Sequence, residues 1–239
     1  MKRHGKSSKQ VRTRKKSAGR SAAKAERARS GHSGATGKKK ERVKIGIVAI
    51  QGDFAAHAAM LQGLGAETVE VRTVKDLEGC DGIVLPGGES TTQLQFLQEE
   101  GLSDAIRTFS RQGGAVFGTC AGAILLATEV RNPAQESLGL LDMTVLRNGY
   151  GRQLASDVFF EPSTLKKDPL EMVFIRGPII EDLGKDIAVL ARHDGKPALV
   201  EKGNVLAATF HPELTDDPTV HEHFLQMAAK GAAKAATAR

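Results

Sequence analysis

Cys120 and His211 are the two residues of this 239-residue chain whose types and settings could carry covalent chemistry. Cys120 lies in Val116-Phe117-Gly118-Thr119-Cys120-Ala121-Gly122-Ala123-Ile124, where an apolar strand-like run meets an Ala-, Leu- and Ile-rich run, Ala121 to Ala127, that reads as a helix. Small residues on both sides of the cysteine fit a nucleophile elbow, a sharp strand-to-helix turn that lifts one side chain above a sheet. Gly118 and Gly122 would permit the close backbone approach that such a turn needs. A thiol at a helix N-terminus faces free N–H groups and the positive end of the dipole, and both favour thiolate. Far along the chain, Phe210-His211-Pro212-Glu213 offers a base and a carboxylate to orient it. Cysteine, histidine and glutamate together make a nucleophile–base–orienter triad. A lone cysteine is usually core and a lone His-Pro-Glu usually a turn. The two motifs together, each at the end of a predicted strand, favour catalysis.

A third motif, Leu85-Pro86-Gly87-Gly88-Glu89-Ser90-Thr91-Thr92, puts a Gly-Gly pair between a strand and a helix. Its exposed N–H groups suit a phosphate cradle or an oxyanion hole. The lysine and spacing of a P-loop are missing, and a cysteine nucleophile in the same chain favours the oxyanion hole. An ordinary βα turn would look the same in isolation.

The elements that must position these residues follow from hydrophobic patterning. Strands are expected at Val43 to Ile50, Glu67 to Val71, Asp81 to Leu85 and just before Cys120. Helices are expected at Phe54 to Leu64, Thr91 to Glu99 (capped by Ser90) and Leu102 to Gln112. Continuously apolar strands alternating with helices indicate a parallel sheet covered on both faces, with ligands at the carboxyl ends of the strands. From Leu138 the pattern changes to short strands, Met143 to Leu146, Asp157 to Phe160, Met172 to Ile175, Ile187 to Ala191, Ala198 to Glu201 and Val205 to Phe210. Asp194-Gly195 and Lys202-Gly203-Asn204 read as hairpin turns, so this half is expected to add antiparallel strands to the sheet edge. A closing helix is expected at Pro218 to Ala229.

Charge is unevenly spread. The chain carries 34 Lys or Arg and 28 Asp or Glu, and residues 1–42 hold 16 of the basic residues with only Glu26 and Glu41. The remainder is net acidic. Residues 1–42 contain no Phe, Tyr, Trp, Leu or Ile, so they are expected to be a disordered extension, with one domain over residues 43–239. Three readings of the extension compete: a solvated segment without a role, a polyanion-binding tail, or translation from upstream of a start at Val43. The lack of aromatic interleaving counts against nucleic acid as a partner. Two cysteines, Cys80 and Cys120, with one a nucleophile, point to free thiols in a reducing cytoplasm. No stretch approaches the length of a membrane-spanning helix, and no cluster has metal-ligand spacing.

Pro-Gly-Gly-Glu-Ser-Thr-Thr, Gly-Thr-Cys-Ala-Gly and Phe-His-Pro-Glu-Leu, in this order, resemble the class I (triad) glutamine amidotransferases. The resemblance is closer still to the glutaminase subunits of pyridoxal 5′-phosphate synthase complexes. It rests on Gln51-Gly52-Asp53 with His57, on Asn148 to Gln153, and on Phe174-Ile175-Arg176-Gly177-Pro178. It runs from about Val43 to the closing helix. It implies a three-layer, flavodoxin-like α/β fold and hydrolysis of L-glutamine to glutamate and ammonia, with no cofactor and no metal. Cys120 would attack the side-chain amide, His211 would move the protons, and Glu213 would orient His211. The N–H groups of Gly88 and Ala121 would hold the oxyanion. Gly88, Glu89, Ser90, Arg152, Ile175 and Arg176 would hold glutamine, the arginines suiting an α-carboxylate. The implied partner is a (β/α)₈-barrel synthase subunit whose docking reorients the Gly87–Gly88 peptide and receives the ammonia. A glutaminase serving histidine or purine biosynthesis is the alternative, against which the Gly-Arg-Gln and Arg-Gly-Pro segments argue. Departures from the pattern are the basic extension and Tyr150, where another bulky residue is expected.

Overall fold

The computed structural model describes residues 42–149 and 157–237, so residues 1–41 of the basic extension, Tyr150 and Arg152 lie outside the described residues. Five strands form the centre, β1 (Lys44–Val48), β2 (Glu67–Val71), β3 (Gly82–Leu85), β4 (Ala115–Thr119) and β12 (Val205–Ala208), of which all but the edge strand β2 are largely apolar and buried. They pair in parallel in the order β12-β4-β3-β1-β2. On the β12 side the sheet continues antiparallel through β11 (Lys196–Lys202) to β10 (Ala188–His193), giving seven strands. The expected edge extension is therefore present, joined by tight turns at Asp194-Gly195 and Gly203.

Period-two alternation sorts the strand side chains onto two faces. Ile83 and Leu85 point into one apolar cluster with Leu94 and Leu97 of α2 (Ser90–Glu99), Leu102 and Ile106 of α3 (Leu102–Arg111) and Leu125 of α4 (Ala121–Leu126). Val84, Phe117 and Leu206 point into the other, with Leu61 of α1 (Phe54–Gly63) and Val220 and Phe224 of α5 (Thr219–Thr237). Helices thus cover both faces of a mostly parallel sheet, in three layers.

The second half is more divided than its sequence suggests. β5 (Ala127–Arg131), β6 (Leu141–Leu146) and β9 (Ile179–Leu183) form a separate three-stranded sheet, and among the described residues β7 (Asp157–Glu161) pairs with β8 (Leu170–Phe174) alone. β5 and β9 were not expected. The helix expected to run through Ala127 stops at Leu126, and Ala127 opens β5. Ser90 is not the cap of α2. Glu89 is, because its longer, charged side chain reaches both free N–H groups, of Thr91 and Thr92.

Candidate active site

Strand register brings the three sequence motifs together. Leu85 of β3 is level with Gly118 of β4, and Ala208 of β12 is level with Thr119. The residues that follow these positions, Pro86-Gly87, Cys120 and Thr209-Phe210-His211, therefore emerge at one carboxyl edge of adjacent parallel strands. Cys120 sits in the central position, its N–H bonded to Ala208 O at 2.8 Å. Its backbone is held at φ 48°, ψ −102°, a left-handed conformation that a non-glycine residue adopts at a cost. The small neighbours are needed for contact. A Cβ at Gly122 would stand 1.9 Å from Leu85 O, and one at Gly118 would stand 2.6 Å from the Gly122 carbonyl. α4 starts at Ala121, so the Ala121 N–H is among those left unpaired at a helix start.

His211 is fixed from both ends. Its N–H donates to Val173 O at 2.8 Å, and Nδ1 lies 2.7 Å from Glu213 Oε1. Glu213 stands in a one-turn 3₁₀ segment, Pro212–Leu214, which returns its carboxylate toward the ring two residues behind. Burial works against a charged His211, but hydrogen bonds to Cys120 and Glu213, with the attraction of both, push it up to about 10. An imidazole stabilised as its cation between a thiol and a carboxylate is equipped to take a thiol proton and keep it. Asp53, at the start of α1, brings a further carboxylate within 4.8 Å of both groups. A cation placed there would compete with the His211–Glu213 hydrogen bond.

Gly87 packs directly under the imidazole, where a Cβ would stand 2.3 Å from His211 Cε1. Its carbonyl accepts from the buried Gln93 amide at 3.0 Å, and the same amide donates to Pro86 O at 3.2 Å. Gly88, at φ 138°, is exposed at the mouth of this turn. The Glu89 carboxylate is engaged by Thr91, Thr92 and the Arg147 guanidinium, whose Nη2 lies 2.9 Å away. Burial opposes the Glu89 charge, but the Thr91 and Thr92 bonds bring the carboxyl down to about 2. Ser90 is buried and donates to Gln135 Oε1 at 2.8 Å. Ile175 and the exposed Arg176 follow β8, with Arg176 at φ 48°. The adjoining Gly177 packs against Thr209 O, two residues before His211, so this loop borders the same edge. The structure thus gathers Cys120, His211, Glu213, Gly88, Ala121, Glu89 and the Ile175–Arg176 loop, and turns the Ser90 hydroxyl toward Gln135.

Sequence reasoning missed Arg147 and Gln93, and it gave His57 no role. Arg147 directly precedes the Asn148-to-Gln153 segment, which is the one signal that could have drawn attention to it. His57 and His221 are buried side by side beneath the site. His57 Nδ1 lies 2.9 Å from His221 Nε2, and His57 Nε2 lies 3.1 Å from Thr119 Oγ1 and 3.3 Å from Glu213 Oε2.

The profile of the SNO glutamine amidotransferase family matches residues 47–230. The chain belongs to that family. Its relatives include a protein named pyridoxal 5′-phosphate synthase subunit PdxT from Koribacter versatilis, 50% identical over 189 residues, covering 79% of this chain and 97% of the relative. The protein of the same name from Thermotoga maritima is 47% identical over 186 residues, covering 77% and 99%. A crystal structure described as a glutamine amidotransferase superimposes with a TM-score of 0.73 at 45% identity, covering 77% of this chain and 98% of that one. A more distant glutamine amidotransferase from Thermotoga maritima shares the fold, with a TM-score of 0.53 at 16% identity over 82% and 94% of the two chains. As a family member the chain is an α/β amidotransferase of the triad class. Both cysteines are free, and among the described residues no helix is long and apolar enough to cross a membrane.

Proposed function

We propose that this chain hydrolyses L-glutamine and passes the ammonia to a synthase subunit that makes pyridoxal 5′-phosphate. The observation that carries the chemistry is the buried Cys120–His211–Glu213 set at the sheet edge, in which both neighbours favour the cation that His211 becomes on taking a proton. The Cys120 sulfur attacks the side-chain amide carbon while His211 takes the thiol proton. The oxygen becomes negative and is met by the N–H groups of Gly88 and Ala121. As the C–N bond breaks, His211 returns the proton to the leaving nitrogen, and ammonia departs. Water, deprotonated by His211, then cleaves the γ-glutamyl thioester to glutamate and restores the thiol. Glu213 keeps the imidazole in the tautomer and orientation that both steps need.

The substrate α-carboxylate is assigned to Arg152 and Arg176, of which Arg152 lies outside the described residues. Glu89, its carboxylate held by Arg147, is assigned with Gly88, Ser90 and Ile175 to holding the rest of the glutamine. The delivery of ammonia to a pyridoxal phosphate synthase is supported by the relatives named as subunits of such a synthase, and the (β/α)₈-barrel form of that partner is what the family resemblance implies. We assign residues 43–239 to the amidotransferase domain, acting in the cytoplasm. The test is ammonia and glutamate release from glutamine, with and without a pyridoxal phosphate synthase subunit, for wild type and Cys120→Ala. Partner-stimulated hydrolysis that Cys120→Ala abolishes is the expected result. Hydrolysis indifferent to this partner would reassign the chain to another synthase, and a folded protein inactive under both conditions would refute the glutaminase reading.

A further inference from the structure

The triad accounts for one oxygen of Glu213. Oε1 accepts from His211, whereas Oε2 is buried and has no hydrogen-bond partner among the described residues. A buried carboxylate oxygen left unpaired is costly. His57 Nε2 lies 3.3 Å from this oxygen and 3.1 Å from Thr119 Oγ1. Behind His57 stands His221, with Nε2 2.9 Å from His57 Nδ1. Both rings are fully buried and pack edge-on against Phe117.

Only one arrangement of protons suits this chain of groups. If His57 carried its proton on Nδ1, its Nε2 lone pair would face the Glu213 carboxylate, acceptor against acceptor. His221 would then carry its proton on Nδ1, which has no acceptor among the described residues. With the proton on Nε2 in both rings, His57 donates toward Glu213 and Thr119, and His221 donates to His57 Nδ1. The one atom left without a partner is then the His221 Nδ1 lone pair. Neutral rings are required, and burial together with the neighbouring His221 and His211 holds His57 well below its ordinary range. Burial brings His221 down to about 4.

We propose that His57 is a positioning residue for the triad: its Nε2–H, shared between Thr119 Oγ1 and Glu213 Oε2, fixes the carboxylate that orients His211, and His221 fixes the tautomer of His57. This rests on the reading of Cys120, His211 and Glu213 as the glutaminase triad. α1 and α5, which supply the two histidines, are thereby tied to the chemistry above the sheet without touching substrate.

The test uses the full chain with its synthase subunit. His57→Phe keeps a flat ring of similar size and removes the donor. Because a misplacement of about 1 Å costs about 100-fold, kcat for glutamine hydrolysis should fall about 10- to 100-fold with KM changed less than about threefold. His57→Gln, whose Nε2 can again donate to Glu213, should recover most of the loss. A folded His57→Phe with wild-type kcat, or one that alters KM alone, overturns the proposal. Should His57→Phe fail to fold, nitrogen-15 NMR of the wild-type histidines decides. Neutral, Nε2-protonated rings for His57 and His221 at about neutral pH support the proposal, and an Nδ1-protonated His57 overturns it. That measurement needs no glutamine. A wild type that fails to hydrolyse glutamine would therefore sink the glutaminase reading while the tautomers still judge this one.

Discussion

Gly87→Ala should separate activity from stability. A Cβ at residue 87 would lie 2.3 Å from His211 Cε1, 3.0 Å from Nδ1 and 3.4 Å from Nε2. Carbon atoms in ordinary contact stand about 3.5 Å apart, so the ring must retreat by roughly 1.2 Å. The added methyl meets one buried imidazole, and a retreat of that ring leaves Glu213 Oε1 without its partner, so the fold should lose about 1–3 kcal/mol while remaining folded. The chemistry should lose more. His211 Nδ1 is 2.7 Å from Glu213, and a retreat of about 1 Å takes it beyond hydrogen-bonding range. A displacement of that size costs about 100-fold, or about 2.7 kcal/mol in the barrier. The assay is partner-stimulated ammonia release beside a thermal melt of the same preparation. A folded Gly87→Ala with kcat within about threefold of wild type would refute the argument that this imidazole is confined from below.

Glu89→Gln should destabilise the chain at neutral pH by about 0.5–1 kcal/mol, since the exposed cap is screened by solvent. The wild-type carboxyl is lowered to about 2, so its contribution is present above about pH 4.5 and disappears as pH falls through about 2. Urea unfolding at about pH 7 and pH 3 checks this, with the difference between the proteins shrinking in acid. His221 acts with the opposite ionic logic: the unfolded chain takes up its proton near 6.5, and the folded chain does so only near 4. Wild-type stability should therefore fall between those pH values by about 3 kcal/mol from this group, with His57 adding in the same direction. His221→Gln should flatten that slope by about one proton, or about 1.4 kcal/mol per pH unit, and an unchanged slope would show that the ring is not held neutral. Arg147→Met should raise KM for glutamine several-fold with little change in Tm, because it removes the charged one of the two donors to Glu89 Oε1 without opening the core. Steady-state kinetics with KM at the wild-type value would detach Arg147 from substrate binding.

The central sheet was legible because strands buried on both faces read as unbroken apolar runs. Lys44–Val48, Gly82–Leu85 and Ala115–Thr119 could hardly be anything else between helical segments. The elbow at Cys120 was legible for a local reason too: the glycines that permit it lie two residues to either side. β5 and β9 were not legible. Ala127–Arg131 and Ile179–Leu183 each carry two or more charged residues, and both belong to a small sheet with one exposed face, where alternation over five residues is a weak signal. The cap of α2 falls between neighbours. Serine at 90 has the stronger general preference, but Glu89 has the reach and the charge, and a short-range rule does not weigh one against the other.

The same distinction runs through the site. His211 and Glu213 are two residues apart, so their pairing could be read directly from His-Pro-Glu. The nitrogen 3.3 Å from Glu213 Oε2 comes from α1, its other neighbour Thr119 Oγ1 comes from β4, and the ring beside it lies 164 residues further along the chain. No spacing encodes that meeting. It follows from the parallel order β12-β4-β3-β1, which places α1 and α5 on one face and their histidines beneath the end of β4. A pair of imidazoles in an apolar layer would be a poor substitute for two leucines if packing alone were at stake, because each buried ring must find partners for its polar atoms. Here the partners form a single path from the helices to the carboxylate. The catalytic residues are thus written in local motifs, whereas the groups that hold them still are written in the topology.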